Sequence, residues 1–197
     1  MNIFYTNACP IMAAWDHNNV HNNKMLTESI QILSTVKRLV EGIKCKVLVR
    51  NKNGELKSRD WYLLDSDTVI DGVLVSYEIY AATHATGPFV KWAMASRANY
   101  EWLWMLAAEL SCIYEKHKGV QQAAAYRLYD LADVPVLPEL PHTPVPMAKS
   151  ASDNAKATYV TDAVRGHIVA MLEKLHEWRT RPKPQVYFFY KQPTWVI

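Results

Sequence analysis

The sequence has no apolar run near the roughly 20 residues that a membrane-spanning helix needs. Its opening, "MNIFYTNACP", lacks the charged-then-apolar order of a signal peptide. A membrane or secreted protein is not expected; the reading is an intracellular protein with no membrane partner. Cysteine is scarce and badly placed for a staple. Cys9, Cys45 and Cys112 are odd in number, far apart and in no Cys-x-x-Cys pair, which speaks against a disulfide framework and a thiolate zinc site. Internal repeats and low-complexity blocks are also missing. Nor is one sign of charge in large excess: the net charge of +3 permits contact with phosphates without demanding it, and nucleic-acid modules are often more basic.

What is present suits a folded domain. The 197 residues, half of them apolar and 21% charged, suffice for one domain with its own core, needing neither disulfide nor metal. The pattern predicts a mainly α, compact single-domain protein over 1–197 with a small β-hairpin insertion. From Ile11 to about Val40 no proline or glycine interrupts, and Ile30, Leu33, Val36, Leu39 and Val40 recur at helical spacing, so one long helix is expected, opened by Pro10 and ended at Gly42. Residues 44–82 read as a β excursion: two runs of β-branched and aromatic residues flank the turn "NKNG", and "GVLVSYEIYAAT" could supply a third strand. A second long helix is expected from Pro88 to near Gly119, then a shorter one in "VQQAAAYRLYDLA". A proline-rich connection follows at 133–150, too broken for helix or central strand. Helical character returns in "SDNAKATYVTDAVRGHIVAMLEKLHEW", and a basic and aromatic tail, 179–197, ends the chain.

Three segments carry residues suited to chemistry. In the first, His17, His21, Lys24, Glu28 and Gln31 fall in steps of four, three, four and three, within about 40° of one another on a helix. They form either the wall of a site or a solvated face with an ordinary Lys24–Glu28 pair. Histidines four apart also suit a metal, zinc being the candidate, but "HNNVH" lacks the glutamate of the His-Glu-x-x-His pattern. No cofactor is expected, with His17 and His21 the weak metal candidates. The asparagines at 18, 19, 22 and 23 are unlike the lysine and glutamate that coat exposed helices, and asparagine is a poor helix former used for its side-chain hydrogen bonds.

The second segment is "THATGPFVKWAMASRANYEW". His84, Trp92, Ser96 and Asn99 offer a stacking ring beside hydrogen-bonding groups, as sites for extruded bases or nucleotides do; the competing reading is core aromatics with locally satisfied tips. The third is the tail, where Arg179, Arg181 and Lys183 stand among aromatic residues and could contact nucleic acid.

Together, "AAWDHNNVHNNKMLTESIQILST", "THATGPFVKWAMASRANYEWL" and "HEWRTRPKP" resemble a group of phage and bacterial proteins, over most of the chain. That group is distantly similar, over the two long helices, to phage-type pyrimidine-dimer DNA glycosylases of the endonuclease V kind. The resemblance implies a helical protein that bends DNA, extrudes a base and attacks the sugar C1′ with its N-terminal amine, aided by a glutamate on the first helix; phage origin would place it in the host cytoplasm. Two positions depart from that pattern. Asn2 hinders removal of Met1, and Lys24 stands where the family's glutamate falls, while His17 matches its histidine. Gly87 stands where the group has histidine before the proline, and His84 is the nearest substitute.

The expectation is therefore an enzyme acting on a nucleobase in DNA or on a nucleotide, cleaving or exchanging an N-glycosidic bond. Glu28 would serve as base or charge stabiliser, Lys24 as phosphate ligand or amine nucleophile, and His17 and His21 as orienting or proton-relaying groups. These would face Trp92, Ser96 and Asn99 across a cleft. The rivals are a non-catalytic DNA- or nucleotide-binding protein, a metal-dependent hydrolase, and a phage protein that docks on a host partner through its tail.

Overall fold

The computed structural model describes residues 3–180 and 186–196. It is helix-rich, but the β portion is larger than a hairpin. Among the described residues the order is α1 (Pro10–Trp15), α2 (Asn19–Glu41), β1 (Ile43–Arg50), β2 (Leu56–Leu63), β3 (Thr68–Ile70), β4 (Val73–Ser76), α3 (Pro88–Ala95), α4 (Arg97–Lys118), a 3₁₀ turn (Ala125–Arg127), α5 (Leu128–Leu131), α6 (Asp153–Thr161) and α7 (Ala163–Arg179).

Each expected long helix is broken at a residue that caps better than it propagates. The Asn18 side chain accepts from the Val20 and His21 amides, satisfying donors that a helix start leaves open. The first helix is thus two, with His17 in the joint. Ser96, extended at φ −155° and ψ 154°, ends α3 and starts α4, its hydroxyl accepting from the Asn99 amide. Asp162 does the same between α6 and α7. Gly119 stops α4 at φ +69°, the left-handed cap that glycine adopts most cheaply.

The β portion is a four-stranded sheet of order β2-β1-β4-β3, a correction to the single hairpin expected. β1 and β2 are antiparallel over their full length, Ile43 opposite Leu63 and Arg50 opposite Leu56. β4 joins β1 in parallel at Leu48 and Val73. β3 and β4 turn through Asp71 and Gly72, both at positive φ (49° and 77°), as a two-residue primed turn requires. The expected third strand shrinks to Val73–Ser76 because residues 77–87 run as a loop.

One buried network fastens sheet to helix. The Arg38 side chain of α2, fully buried, grips Asp67 with two hydrogen bonds of 2.6 and 2.9 Å and donates to the carbonyls of Tyr62, Ile79 and Tyr80. Asp67 also accepts from the Trp61 indole and the Leu64 amide. Burial alone would raise the Asp67 pKa; those hydrogen bonds, led by Arg38, reverse it, and the carboxyl sits below its ordinary value.

The main core joins α1, α2, α3, α4, α5 and α7, with Leu26, Leu33, Leu103, Leu106 and Leu110 wholly buried. The proline-rich connection lies extended over α3 and α4, pinned where the Arg97 amide donates to the Pro138 carbonyl and where Asn99 meets Thr143. Helices α6 and α7 approach closely at Gly166, where a Cβ would fall 2.6 Å from the Tyr159 Cα. No helix among the described residues is long and apolar enough to cross a membrane.

Candidate functional site

The histidines of the polar stripe are interior. His17 and His21 are each 1% exposed, with ring centroids 5.9 Å apart. Phe4 packs on both, at 4.8 Å from His21 and 6.3 Å from His17, and Trp178 of α7 lies 4.2 Å from His21. Both ends of the chain thus close over the α1–α2 joint. The neighbouring Tyr5 faces the other way, as alternate residues of an extended segment do, and packs against Trp102, His142 and His167.

Hydrogen-bond partners assign the tautomers. The Ala13 carbonyl, 2.7 Å from His17 Nδ1, can only accept, so His17 carries its proton on Nδ1 and its Nε2 is a bare lone pair. Asn18 already uses its oxygen to cap α2, so its Nδ2 donates to His21 Nδ1 at 3.1 Å. His21 therefore holds its proton on Nε2. Both Nε2 atoms, one an acceptor and one a donor, are buried without a hydrogen-bond partner among the described residues. Burial drives the His17 pKa down to about 4. Burial, then the charges of His17, Lys24 and Lys174, drives His21 well below its ordinary value. Both are neutral near pH 7.

This arrangement bears on metal binding. A metal held by both rings would need the His21 proton moved to Nδ1, against the Asn18 amide donor. Among the described residues no group of three or more His, Cys, Asp or Glu side chains converges.

Lys24 and Glu28 sit one turn and two turns further along α2, their charged ends 3.7 Å apart; the Lys24 side chain is half exposed, that of Glu28 16%. Gln31 is half-buried. Trp92, Ser96 and Asn99, expected opposite them, are committed elsewhere. The Trp92 indole donates to the Thr143 carbonyl and its ring meets Trp102 and His142. Asn99 is fully buried and bonded to the Trp92 carbonyl and to Thr143. Ser96 is the cap described above. The rings that pack on the histidines are Phe4 and Trp178, not Trp92. His84 is exposed, in the left-handed region at φ 52°, paired with the Thr83 hydroxyl.

Beside the histidines, on the far side of Phe4, lies a pocket of about 220 Å³ between α7 and residues 147–152. Phe4, Ala148, His167 and Ala170 line its inner part, and Glu173, Lys174 and Glu177 its mouth. Glu173 accepts from the Ser152 hydroxyl at 2.7 Å, and Lys174 pairs with Glu177 at 2.7 Å. His167 faces the Val145 carbonyl, and burial lowers its pKa to about 4. None of these was picked out from the sequence; the signal was the spacing of 167, 170, 171, 174 and 178, one face of α7.

In the tail, Arg179 is exposed, while Arg181 and Lys183 lie outside the described residues, as do Met1 and Asn2. The aromatic residues that follow pack on the body. Tyr187 exchanges hydrogen bonds with Asn19, Phe189 stacks on His117 at 4.6 Å, and Tyr190 packs on Trp15 at 5.4 Å.

No protein-family model, curated protein or solved structure matches the chain in comparison.

Proposed function

We propose that the chain is an enzyme acting on a nucleobase in DNA or on a nucleotide, cleaving or exchanging an N-glycosidic bond. The observation that supports it is the set of polar groups along the first half of α2. Two neutral imidazoles, whose Nε2 atoms have no hydrogen-bond partner among the described residues, pack there against Phe4 and Trp178, and an amine (Lys24) and a carboxylate (Glu28) follow one and two turns along the same helix. A buried polar atom left unpaired costs about 1–3 kcal/mol, so two in one place are more readily understood as groups awaiting a partner. The His17 lone pair accepts and the His21 N–H donates, so the pair can pass a proton without either ring being charged at rest. Glu28 stabilises positive charge developing on the sugar, and Lys24 meets a phosphate or attacks C1′.

Mass spectrometry of DNA and nucleosides incubated with wild type and with Glu28→Gln tests this. Release of a free base by wild type, cut at least a hundredfold in the variant in line with loss of an acid–base group worth about 10²–10⁴, is the expected result. Absence of base release by wild type from every substrate refutes it, and binding without turnover would leave a non-catalytic nucleic-acid or nucleotide protein.

A further inference from the structure

Basic charge gathers in two segments of this protein, the tail at 179–197, with Arg179, Arg181, Lys183 and Lys191 and no acidic residue, and the first β-hairpin. The β1–β2 hairpin, residues 43–63, holds Lys44, Lys46, Arg50, Lys52, Lys57 and Arg59 against only Glu55 and Asp60, a net +4 in a chain whose total is +3, so the remaining residues together are net −1. All six cations are exposed. Lys44, Lys46, Lys52 and Arg59 make no ion pair among the described residues, while Lys57 pairs with Glu55 at 3.7 Å and Arg50 donates to the Gly54 carbonyl.

We propose that this hairpin is a binding surface for the phosphate backbone of duplex DNA. Charges on an edge strand also guard against edge-to-edge pairing, which accounts for Lys57 and Arg59 on β2. Lys44 and Lys46 lie on β1 before its pairing with β4 at Leu48, so they too stand near a sheet margin, but edge protection does not call for cations on both faces of the ribbon.

Register places the cations on both faces. Arg59 and Lys57 stand opposite Val47 and Val49, while Lys44 and Lys46 fall on the alternate face of β1. An anionic membrane would meet one face. A groove walled by two phosphate strands that takes in the open β2 edge of the sheet meets both faces, and the major groove of B-DNA is about 12 Å wide. The deep, narrow major groove of A-form RNA does not offer that width. An eight-residue strand spans about 24 Å, a length over which duplex DNA presents about 14 negative charges. The hairpin can keep its shape under such a load. It has its own apolar cluster of Val47, Trp61 and Leu74, and the Arg38–Asp67 network bonds to Trp61 and to the Tyr62 carbonyl at its base.

This surface deepens the function proposed above by making the substrate a polymer, yet it stands or falls separately. The test is fluorescence anisotropy with duplex DNA, duplex RNA and phosphatidylserine vesicles over a salt series. Wild type, Lys44→Gln/Lys46→Gln/Arg59→Gln, and Lys91→Gln, an exposed cation outside the hairpin, are compared. The salt slope for duplex DNA flattens by about 0.9 per phosphate contact removed, about 2.7 in the triple variant, and Lys91→Gln matches wild type. Turnover on a free nucleotide, where wild type shows any, is unchanged in the triple variant. No salt-dependent binding of wild type to duplex DNA, an unchanged slope in the triple variant, or tighter binding to RNA or vesicles overturns the proposal. DNA binding lost in the triple variant without base release by wild type would instead sink the catalytic reading and leave this one intact.

Discussion

Acid should loosen this protein through its buried histidines, and the size of the effect follows from their environment. His17 and His167 have folded-state pKa values pushed down to about 4 by burial, against about 6.5 in an unfolded chain. Between these values the unfolded state binds more protons, so stability rises with pH. It is fully present above about 6.5 and lost as pH falls toward 4. At pH 5 each of the two removes about 2 kcal/mol by this linkage, and at pH 4 or below about 3. His21 and His142, also lowered by burial, act in the same direction. Asp16, raised by burial, acts in the opposite one as it becomes protonated. Two histidines alone thus remove about 4 kcal/mol by pH 5, against a typical total of about 5–15.

The assay is urea unfolding at pH 7.5, 6 and 5, followed by tryptophan fluorescence, for wild type and His167→Leu. The variant loses the bond to the Val145 carbonyl and is less stable at pH 7.5. Its further loss on going to pH 5 is smaller than that of wild type by about 2 kcal/mol. Equal losses in the two proteins, or a wild type that gains stability on acidification, would refute the reasoning.

Two further outcomes follow from packing. Arg38→Met leaves Asp67 buried without its cation and strips three carbonyls of their donor, a loss of about 3–5 kcal/mol in chemical denaturation, part of which Arg38→Met/Asp67→Leu restores by removing the stranded charge. Gly166→Ala drives a methyl into the Tyr159 backbone and costs about 1–3 kcal/mol. Because α7 carries Trp178 against His21, the same variant also shifts the tryptophan emission, and an unaltered spectrum with unaltered stability would show that the helices do not touch there.

The parts of the fold written locally were legible. "NKNG" made its turn, with Gly54 at φ +85°, and Pro88 and Gly119 bound the α3–α4 stretch as expected. The breaks at Asn18, Ser96 and Asp162 were missed because apolar spacing runs through them. The cue was chemical rather than periodic, a short polar side chain able to cap in the middle of a helical pattern. The β3–β4 turn had its cue too, in Asp71-Gly72. Spacing put His17 and His21 on one line, but an angle around a helix says nothing of depth. What buries them is Phe4 from one end of the chain and Trp178 from the other, and no local pattern connects residue 21 to either. Trp92 and Asn99 looked like a binding wall because they set a stacking ring beside a hydrogen-bonding amide; the partner of both proved to be Thr143, on a proline-rich stretch whose docking surface the sequence does not specify.

Helix α2 places polar groups in the interior at both ends by opposite means, and that difference orders how the molecule responds to acid. Near its C-terminus Arg38 keeps its charge, because a carboxylate and three carbonyls meet the guanidinium donors. Near its N-terminus no carboxylate among the described residues bonds to either imidazole, the neighbouring ammonium groups repel a proton, and the rings stay neutral. The Arg38–Asp67 end holds until pH falls below the ordinary carboxylate range, since Asp67 is shifted downward. The histidine end begins to weaken near pH 6.5. Acidification therefore opens the α1–α2 joint, with Phe4 and Trp178, before it frees the sheet. In hydrogen exchange at pH 5 the amides of Asn22 and Met25 lose protection ahead of those of β1. Reversal of that order would mean that the imidazoles are not the acid-sensitive groups.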